Sequence, residues 1–263
     1  MTMLLEGRTA LVYGASGAVG GAVARAFARE GAQVFLAARR AELLEEVAAD
    51  IGKAGGRAKV VPVDASDKDA VEAHLAQVVK QGGPVKAMFN GVEWGDTQGQ
   101  PVVEMDLERF IRPVRQGLTT WFYTGTAMAR HMGENGGGSI VGITANAGRQ
   151  GFPMTGGFGV ACAAVEHFLR MLAVENGPKG VRVNWVRSPG SPDAPGVREA
   201  WKLRADEWGM TFDEVHALFA KDTPLRYITP LAQIANAAGM LESDYTTGMT
   251  ATMANATGGA QVD

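Results

Sequence analysis

The stretch 12-VYGASGAVGGAVARAF-27 gives the strongest indication of the fold, because closely spaced glycines join the end of an apolar run to the start of a helical pattern. Gly14 can make the tight turn after a strand, Gly17 lets the backbone approach a phosphate, and Gly20 permits a helix to lie close to that strand. A helix that begins here offers free N–H groups to an anion. The stretch therefore predicts a strand, a loop that binds the pyrophosphate of a dinucleotide, and a helix, although a plain turn is the alternative interpretation. The remaining predicted cofactor contacts in the loop are Ser16 and Val19.

Apolar, β-rich runs alternate with helical periodicity along the rest of the chain. The apolar runs are RTALVYG, AQVFLAA, AKVVPVD, VKAMFN, SIVGIT and VRVNWV, and the first three helical patterns are AVARAFARE, ELLEEVAADI and KDAVEAHLAQVV. Such alternation is typical of a parallel sheet that is covered by helices on both faces. With 263 residues and no visible repeat or linker, the chain is predicted to form a single α/β domain over residues 1–263.

Two segments depart from simple alternation. Residues 112–132 predict one long helix with Pro113 near its start. Residues 191–225 predict an irregular loop and two short helices, inserted before a last helix, LAQIANAAGML, and a last strand, MTATMAN. We expect this insertion to cover a substrate. Its apolar residues favour an apolar ligand, although amphipathic helices need such residues in any case; they are Trp201, Leu203, Trp208, Met210 and Phe212.

The composition argues against several classes of function. The 25 Lys and Arg residues and 28 Asp and Glu residues give a net charge of -3, so no nucleic-acid partner is expected. No apolar run reaches the ~18 to 20 residues of a membrane span, and the start, MTMLLEGRTA, does not resemble a secretory signal. The single cysteine, Cys162, excludes an intrachain disulfide, and the histidines lack metal-ligand spacing. We expect a cytoplasmic protein with a small-molecule substrate or ligand and without a metal.

The end of the second predicted strand indicates which dinucleotide the loop binds. A carboxylate at this point would bind the ribose 2′-hydroxyl of NAD(H), but the chain reads 36-LAARR-40 and has Ala38 there. Arg39 and Arg40 follow, and their forked donors suit a 2′-phosphate. The sequence therefore predicts NADP(H), with NAD(H) as the alternative. A solvated basic start to the next helix is the other interpretation of the two arginines.

These motifs, in this order, resemble the short-chain dehydrogenase/reductase family over essentially the whole chain. The other stretches that carry the resemblance are 60-VVPVDASD-67, Asn90, GGGSIVGIT, LRMLAVE, VRVNWVRSPG and ANATGGAQVD. The resemblance implies a doubly wound, Rossmann-type parallel sheet of seven strands in the order 3-2-1-4-5-6-7, a nicotinamide cofactor, and a homo-oligomer, either tetramer or dimer. It also implies further cofactor contacts: Asp64 and Ala65 at the adenine, Asn90 and Gly91 near the ribose, and Pro189 and Gly190 beside the nicotinamide.

The catalytic positions of the family carry other residues in this chain. The resemblance places the family's serine on Ala145 and its helix asparagine on Gly117. It places the tyrosine and the lysine on Phe158 and Cys162. In the family the tyrosine moves the carbonyl proton, the serine orients the substrate oxygen, and the lysine lowers the pKa of the tyrosine. General acid catalysis contributes ~10²- to 10⁴-fold to a rate, so we predict no ordinary ketone reduction by the family mechanism.

Four pocket residues remain as candidates for a different role. Glu93 is the most interesting acid, although a solvated loop carboxylate is the simpler interpretation. Thr155 could contact a substrate, but we favour an N-cap for the following helix. Cys162 could act as a nucleophile, but a lone cysteine in an alanine-rich helix is usually a small buried hydrophobe. Phe158 completes the set because it stands at the tyrosine position.

Three hypotheses for function remain open. The first is a divergent NADP(H)-dependent oxidoreductase that takes its proton from water, from the substrate or from a residue such as Glu93, and that suits an activated C=C or imine better than a ketone. The second is a lyase or isomerase on the same fold. The third is a catalytically silent cofactor-binding subunit, which could assemble with an active homologue. An intact phosphate loop favours the first and third hypotheses over a cofactor-free lyase.

Overall fold

The computed structural model describes residues 3–262 and contains a seven-stranded parallel sheet with helices on both faces. The strands are β1 (Thr9–Tyr13), β2 (Gln33–Ala37), β3 (Arg57–Val60), β4 (Val85–Asn90), β5 (Gly138–Ala145), β6 (Val181–Ser188) and β7 (Met253–Asn255). The helices are α1 (Ala18–Arg29), α2 (Ala41–Lys53), α3 (Lys68–Gly82), α4 (Leu107–Glu134), α5 (Phe158–Asn176), α6 (Pro195–Trp208), α7 (Phe212–Lys221) and α8 (Leu231–Glu242). The strand order is β3-β2-β1-β4-β5-β6-β7, so the predicted fold class is confirmed. Within residues 3–262, no helix is long and apolar enough to cross a bilayer, and no cluster of His, Cys, Asp or Glu could hold a metal ion.

Two apolar layers hold the helices against the sheet. One layer joins the strands to α3, α4 and α5, and its largest fully buried side chains include Trp121 and Trp185. The other layer joins the sheet to α1, α2 and α8 through side chains such as Phe27 and Ile234. Because the sheet is covered on both faces, its central strands have continuous apolar sequences. Each large apolar side chain buried in these layers stabilises the fold by ~1.5 to 3 kcal/mol.

The carboxyl ends of the central strands meet at one edge of the sheet. β1 lies between β2 and β4, so the chain leaves β1 on one side and later returns on its other side. Tyr13 at the end of β1 pairs with Asn90 at the end of β4, and Ala145 pairs with Ser188 at the ends of β5 and β6. In a doubly wound sheet, ligands bind in the crevice at such a switch point. The loops after β1, β4, β5 and β6 therefore surround the candidate site.

Helix α4 is longer than predicted, and the expected position of its proline is wrong. The prediction began the helix at Arg112, but α4 spans Leu107–Glu134 and contains Pro113 in its interior. The prediction missed an N-cap: the Asp106 side chain accepts a hydrogen bond from the Arg109 backbone N–H at 2.9 Å. This cap begins the helix ahead of the proline, whose missing N–H then removes one helical hydrogen bond.

The last strand is shorter than predicted, whereas the inserted helices are both present. β7 covers Met253–Asn255 and not all of MTATMAN, because Ala251 has a left-handed φ of 56° that interrupts the extended backbone. In the insertion, Trp201 of α6 and Phe219 of α7 pack edge to face, with ring centroids 5.1 Å apart. The two helices therefore share a small apolar core of their own.

Candidate functional site

The loop between β1 and α1 has the geometry of a phosphate-binding turn. Gly14 has a left-handed φ of 74°, and a Cβ built there would overlap the carbonyl oxygen of Gly91 in the loop after β4. A Cβ at Gly20 would overlap the carbonyl oxygen of Gly14, so α1 approaches β1 this closely only because both residues are glycine. The helix starts at Ala18 with Gly17 as its N-cap residue, and no described side chain caps it. Its first N–H groups are therefore free to bind an anion.

The residues around this loop fit a nicotinamide dinucleotide. Ser16 and Val19 are half-buried at the start of α1. At the other end of the crevice, Pro189 and Gly190 turn the chain after β6, and Gly190 has a left-handed φ of 88°. The next residue, Ser191, is 3% exposed, and its hydroxyl has no hydrogen-bond partner among the described residues. A nucleotide with its diphosphate at the start of α1 and its nicotinamide amide at this turn would give hydrogen-bond partners to the N–H groups of α1 and to the Ser191 hydroxyl.

Cations and one hydrogen-bonded carboxylate lie beyond the ends of β2 and β3. Arg39 and Arg40 are exposed, and Arg40 occupies the N-cap position of α2. Asp64 accepts hydrogen bonds from the hydroxyl and the backbone N–H of Ser66, at 2.7 and 2.9 Å. These bonds, with a smaller contribution from the charge of Arg39, lower the pKa of Asp64. Asp64 is thus a carboxylate in a fixed position, and its neighbour Ala65 is buried.

Asn90 fastens the loop after β4 to helix α4. Its side-chain N–H donates to the Thr124 hydroxyl at 2.9 Å, and its side-chain oxygen accepts from the Val92 backbone N–H at 3.0 Å. The amide is therefore engaged on both sides by the protein and shapes this loop. The predicted contacts of Asn90 and Gly91 with a ribose remain predictions, and they would involve mainly the backbone.

Trp94 fills the space beside Gly117 and Phe158, two residues that the family resemblance predicts to stand at catalytic positions. A Cβ built on Gly117 would lie 3.1 to 3.3 Å from the indole of Trp94, which is 7% exposed. The centroids of the Trp94 and Phe158 rings are 6.1 Å apart. Because a side chain at position 117 would displace the indole, Gly117 and Trp94 form a matched pair of small and large residues. The positions of the family's asparagine and tyrosine are thus lined by aromatic rings.

The thiol of Cys162 is buried and keeps its proton at neutral pH. The side chain is fully buried, and burial raises the pKa of the thiol to about 12, against a smaller lowering effect of the Ala145 backbone. A Cβ built on Gly148 would lie only 2.9 Å from the Cys162 Cβ, so this turn of α5 packs tightly against the segment after β5. The geometry supports the interpretation of Cys162 as a small buried hydrophobe.

Glu93 lies beside the phosphate loop. The residue is exposed, and its Oε1 is 4.0 Å from a Cβ built on Gly17. Its carboxylate is therefore close to the start of α1, where an anion would bind. A role of Glu93 as a proton source remains a prediction.

The predicted N-cap role of Thr155 is wrong. Helix α5 spans Phe158–Asn176 with Gly157 as its N-cap residue, and the Thr155 hydroxyl donates to the Phe152 carbonyl at 2.9 Å. The reason is steric, because a Cβ built on Gly157 would overlap the Phe110 carbonyl oxygen of α4. The close approach of the two helices requires a glycine at the entry to α5, and Thr155 instead closes the preceding turn.

Comparison with known proteins identifies the family. A family model described as "Enoyl-(Acyl carrier protein) reductase" matches residues 14–261. The chain is 31% identical over 251 residues to the 7alpha-hydroxysteroid dehydrogenase of Clostridium sardiniense, a match that covers 93% of this chain and 91% of that enzyme. The chain belongs to the short-chain dehydrogenase/reductase family. It is therefore a member of a family of oxidoreductases that bind nicotinamide cofactors.

Solved structures of similar fold hold both forms of the cofactor. A structure of the actinorhodin polyketide ketoreductase with NADPH matches with a TM-score of 0.88 and 26% identity, and the match covers 99% of each chain. An NAD+-bound xylitol dehydrogenase matches with a TM-score of 0.90 and 24% identity over 97% of this chain and 99% of that chain, a likeness that shows the fold alone. The choice between NADPH and NAD+ therefore rests on this chain's own residues.

In this short-chain dehydrogenase/reductase, a buried ion pair that sequence reasoning missed lies behind the site. Arg187 on β6 donates from Nη2 to both carboxylate oxygens of Glu166 on α5, at 3.0 and 2.8 Å. Glu166 also accepts from the Thr144 hydroxyl at 2.8 Å, and Arg187 donates to Gln261 at 3.0 Å. The Arg187 and Glu166 side chains are 3% and 5% exposed. The pair ties α5 to β5 and β6 one residue before each strand ends, and so holds the floor of the site.

Sequence reasoning also missed two other buried polar features, the Asn146 side chain and the Tyr13–His74 pair. Asn146, directly after β5, is 7% exposed, and its Oδ1 has no partner among the described residues. Tyr13, at the end of β1, places its hydroxyl 3.5 Å from Nδ1 of His74 on α3. Burial lowers the pKa of His74 to about 4 and raises the pKa of Tyr13. A polar residue at the end of an apolar strand is the only sequence signal for such a pair, and it does not identify the partner.

Proposed function

We propose that this protein is an NADP(H)-binding oxidoreductase that acts on an apolar small molecule without the family's tyrosine-driven proton transfer. One observation carries the proposal: the start of α1 leaves its N–H groups free for a phosphate, whereas Phe158 has no exchangeable proton and Cys162 holds its proton on a buried thiol whose pKa is raised by burial. The part of the site that would hold a cofactor is kept. The part that would protonate a carbonyl oxygen is replaced.

The residues at the end of β2 support NADP(H) over NAD(H). Ala38 stands where a carboxylate would repel a 2′-phosphate, and the exposed guanidinium groups of Arg39 and Arg40 follow it. The test is a fluorescence titration with NADPH and NADH. We expect Arg39→Ser with Arg40→Ser to weaken NADPH binding by about tenfold or more and to leave NADH binding nearly unchanged. Equal affinity of the native protein for both nucleotides would contradict the preference.

The lack of a proton donor decides which reaction suits this site. A bound nicotinamide supplies a hydride. When hydride adds to the β-carbon of a conjugated C=C bond, the resulting enolate can take its proton from water at carbon, whereas a reduced ketone needs a donor at oxygen. Because Ala145 and Phe158 cannot be that donor, an activated C=C is the better substrate, as is an imine that arrives protonated as an iminium ion, since hydride then gives a neutral amine. The description of the matching family model, an enoyl reductase, names the same class of reaction.

The contacts of the inserted helix α6 support an apolar substrate. This helix lies against the loop after β4 and against the turn after β6, on two sides of the crevice. A Cβ built on Gly99 in the loop after β4 would lie 3.2 Å from Leu203 of α6, and the Arg204 guanidinium donates to the Gln98 side chain at 3.3 Å. At the other side of the crevice, a Cβ built on Gly190 would lie 3.4 Å from Val197. With Trp94 and Phe158 behind, a substrate would be held mainly between apolar side chains.

The decisive experiment measures NADPH oxidation against a panel of enones, enals, imines, aldehydes and ketones. We expect turnover with the activated C=C or imine substrates and none with simple ketones. The matched variant restores three family side chains, Ala145→Ser, Phe158→Tyr and Cys162→Lys, and should gain ketone reduction if the cofactor is held productively. Tight NADPH binding without oxidation of any substrate would refute the proposed activity and leave the catalytically silent subunit as the function.

The outer face of α4 and α5 supports a homo-oligomer, either dimer or tetramer. Phe122 on α4 is 55% exposed, and its ring centroid is 6.2 Å from that of Phe168 on α5. Other exposed apolar side chains on α5 are Val160, Met171 and Val174. An apolar patch of this kind is typical of a subunit interface. Light scattering of the native protein and of Phe122→Glu tests it, because the variant should dissociate into smaller species.

A further inference from the structure

The loop after β4 brings an acidic side chain to the phosphate-binding end of the crevice. Glu93 Oε1 lies 4.0 Å from a Cβ built on Gly17, the N-cap residue of α1. The helix start carries a partial positive charge and free N–H groups, which attract a carboxylate as well as a phosphate. A diphosphate bound at these N–H groups would therefore lie close to the carboxylate of Glu93.

The backbone on both sides of Glu93 is fixed, so the carboxylate cannot leave by a movement of the whole loop. Before it, the Val92 N–H is bound by the side chain of Asn90 at 3.0 Å. After it, Trp94 is buried against Gly117 and Phe158. The position of the Glu93 carboxylate is therefore set mainly by the rotamer of its own side chain.

We propose that Glu93 sets the affinity of this protein for its dinucleotide, because its carboxylate competes with the diphosphate for the start of α1. This inference rests on the proposed function, since it presumes that the crevice takes a dinucleotide. A diphosphate carries two negative charges, and a carboxylate at this distance opposes them in a partly solvated crevice. Glu93 thus weakens cofactor binding and favours rapid exchange of the nucleotide.

The negative charge of Glu93 should oppose only the diphosphate part of the ligand. Adenosine 2′-monophosphate carries the adenine and the 2′-phosphate that Arg39 and Arg40 are proposed to bind, but it has no diphosphate at the α1 end. Its affinity should therefore not depend on Glu93. A comparison of NADPH with adenosine 2′-monophosphate separates repulsion at the phosphate loop from a general change in surface charge.

The test uses the isosteric variant Glu93→Gln and titrates the full-length protein with NADPH and with adenosine 2′-monophosphate by calorimetry. The matched control is Glu104→Gln, an exposed glutamate farther along the same chain segment, which makes the same change in net charge. We expect Glu93→Gln to lower the Kd for NADPH by about tenfold and Glu104→Gln by less than about twofold. Neither variant should change the Kd for adenosine 2′-monophosphate.

The possible outcomes separate this inference from the proposed function. If native protein and Glu93→Gln bind NADPH equally, the role of Glu93 is refuted and the proposed cofactor stands. If only Glu93→Gln binds NADPH, Glu93 has the proposed role, and the native chain is not an NADPH enzyme. If neither binds, both fail. A gain in NADPH affinity that Glu104→Gln or adenosine 2′-monophosphate reproduces would also refute a local effect of Glu93.

Discussion

The two ends of the crevice differ in what they retain. At the β1 end, Gly14, Gly17 and Gly20 keep the close approaches that a phosphate loop needs, and a side chain at Gly14 or Gly20 would overlap backbone. At the β5 end, the positions that the resemblance assigns to the family's serine and tyrosine hold Ala145 and Phe158, whose side chains carry no exchangeable proton. A phosphate-binding geometry made of backbone does not depend on which side chains stand at the catalytic positions, so the two ends of the crevice can differ independently.

The replaced end is nevertheless well packed. The indole of Trp94 occupies space that a side chain at position 117 would need, and Cys162 fits against Gly148. Behind them, Glu166 and Arg187 form a buried ion pair. Random loss of catalytic side chains would leave cavities, which cost stability. The matched sizes leave little empty space between these residues, which supports the proposal that this end of the crevice serves a chemistry other than the family's tyrosine-driven one.

The largest expected effect comes from removing one partner of the Glu166–Arg187 ion pair, which lies behind the β5 end of the crevice. Arg187→Met removes the buried cation from Glu166 and leaves that carboxylate with the Thr144 hydroxyl and the half-exposed Arg170, whose Nη2 is 3.5 Å away. We therefore expect the free energy of unfolding to fall by about 3 kcal/mol, the low end for breaking a buried ion pair. Urea unfolding at pH 7 measures it. The double variant with Glu166→Leu is the control, and it should lose clearly less than the single variant. A loss below about 1 kcal/mol for Arg187→Met would show that the pair does not hold the floor of the site.

A smaller effect is expected when a side chain is added to the phosphate loop at the β1 end of the crevice. Gly20→Ala places a Cβ against the carbonyl oxygen of Gly14, so the protein should lose about 2 to 3 kcal/mol of stability and most of its NADPH affinity. Gly52→Ala in α2 is the matched control, because a Cβ there meets nothing within 4 Å and alanine favours a helix. Thermal unfolding and NADPH titration compare the two. If both variants bind NADPH like the native protein, the phosphate loop is not the cofactor site.

The pH dependence of stability tests the burial of His74, which lies beside Tyr13 at the end of β1. Burial lowers the pKa of His74 to about 4 in the folded protein, below its ordinary value of 6.5, so the unfolded chain binds more protons between these pH values. The contribution of His74 is fully present above pH 6.5 and is lost as the pH falls towards 4. We expect His74→Gln to flatten this fall by about 2 kcal/mol relative to the native protein. Unfolding curves from pH 7 to pH 4 that run parallel for the two proteins would contradict this assignment.

The smallest expected effect concerns the thiol. Cys162→Ala should cost only about 1 kcal/mol of stability and leave NADPH binding and turnover unchanged, since the buried thiol does no chemistry. In the native protein the thiol should resist a thiol reagent at pH 8, whereas the urea-unfolded chain should react fully. Rapid labelling of the native protein, or a large loss of turnover in Cys162→Ala, would overturn the interpretation of a silent cysteine.

Sequence reasoning succeeded where a local pattern carries the information. The glycines at 14, 17 and 20 and the alternation of strands and helices predicted the fold and the switch point at β1. It failed at two helix starts, where the N-cap of α4 is Asp106 and that of α5 is Gly157. The start of α5 depends on how closely it approaches α4, a distance that no local pattern records.

The composition of the candidate site was only partly predictable. The prediction that positions 117, 145, 158 and 162 lack the family's catalytic side chains needed only the sequence motifs. The packing of Trp94 on Gly117 joins two elements, and the Glu166–Arg187 pair joins α5 to β6. Such contacts follow from tertiary packing and not from spacing, because each partner taken alone is an ordinary bulky, small or charged residue.

The class of fold follows from the amino-acid sequence alone, and so do the predictions of a phosphate loop at Gly14 to Gly20 and of missing proton donors, because these depend on residue type at short spacing. The three-dimensional structure was needed to show that Cys162 is buried with a raised pKa, that Trp94 fills the space beside Gly117, and that the carboxylate of Glu93 lies beside the start of α1. Burial and the direction of a side chain depend on residues far apart in the chain, and these meet only when the sheet and its helices assemble.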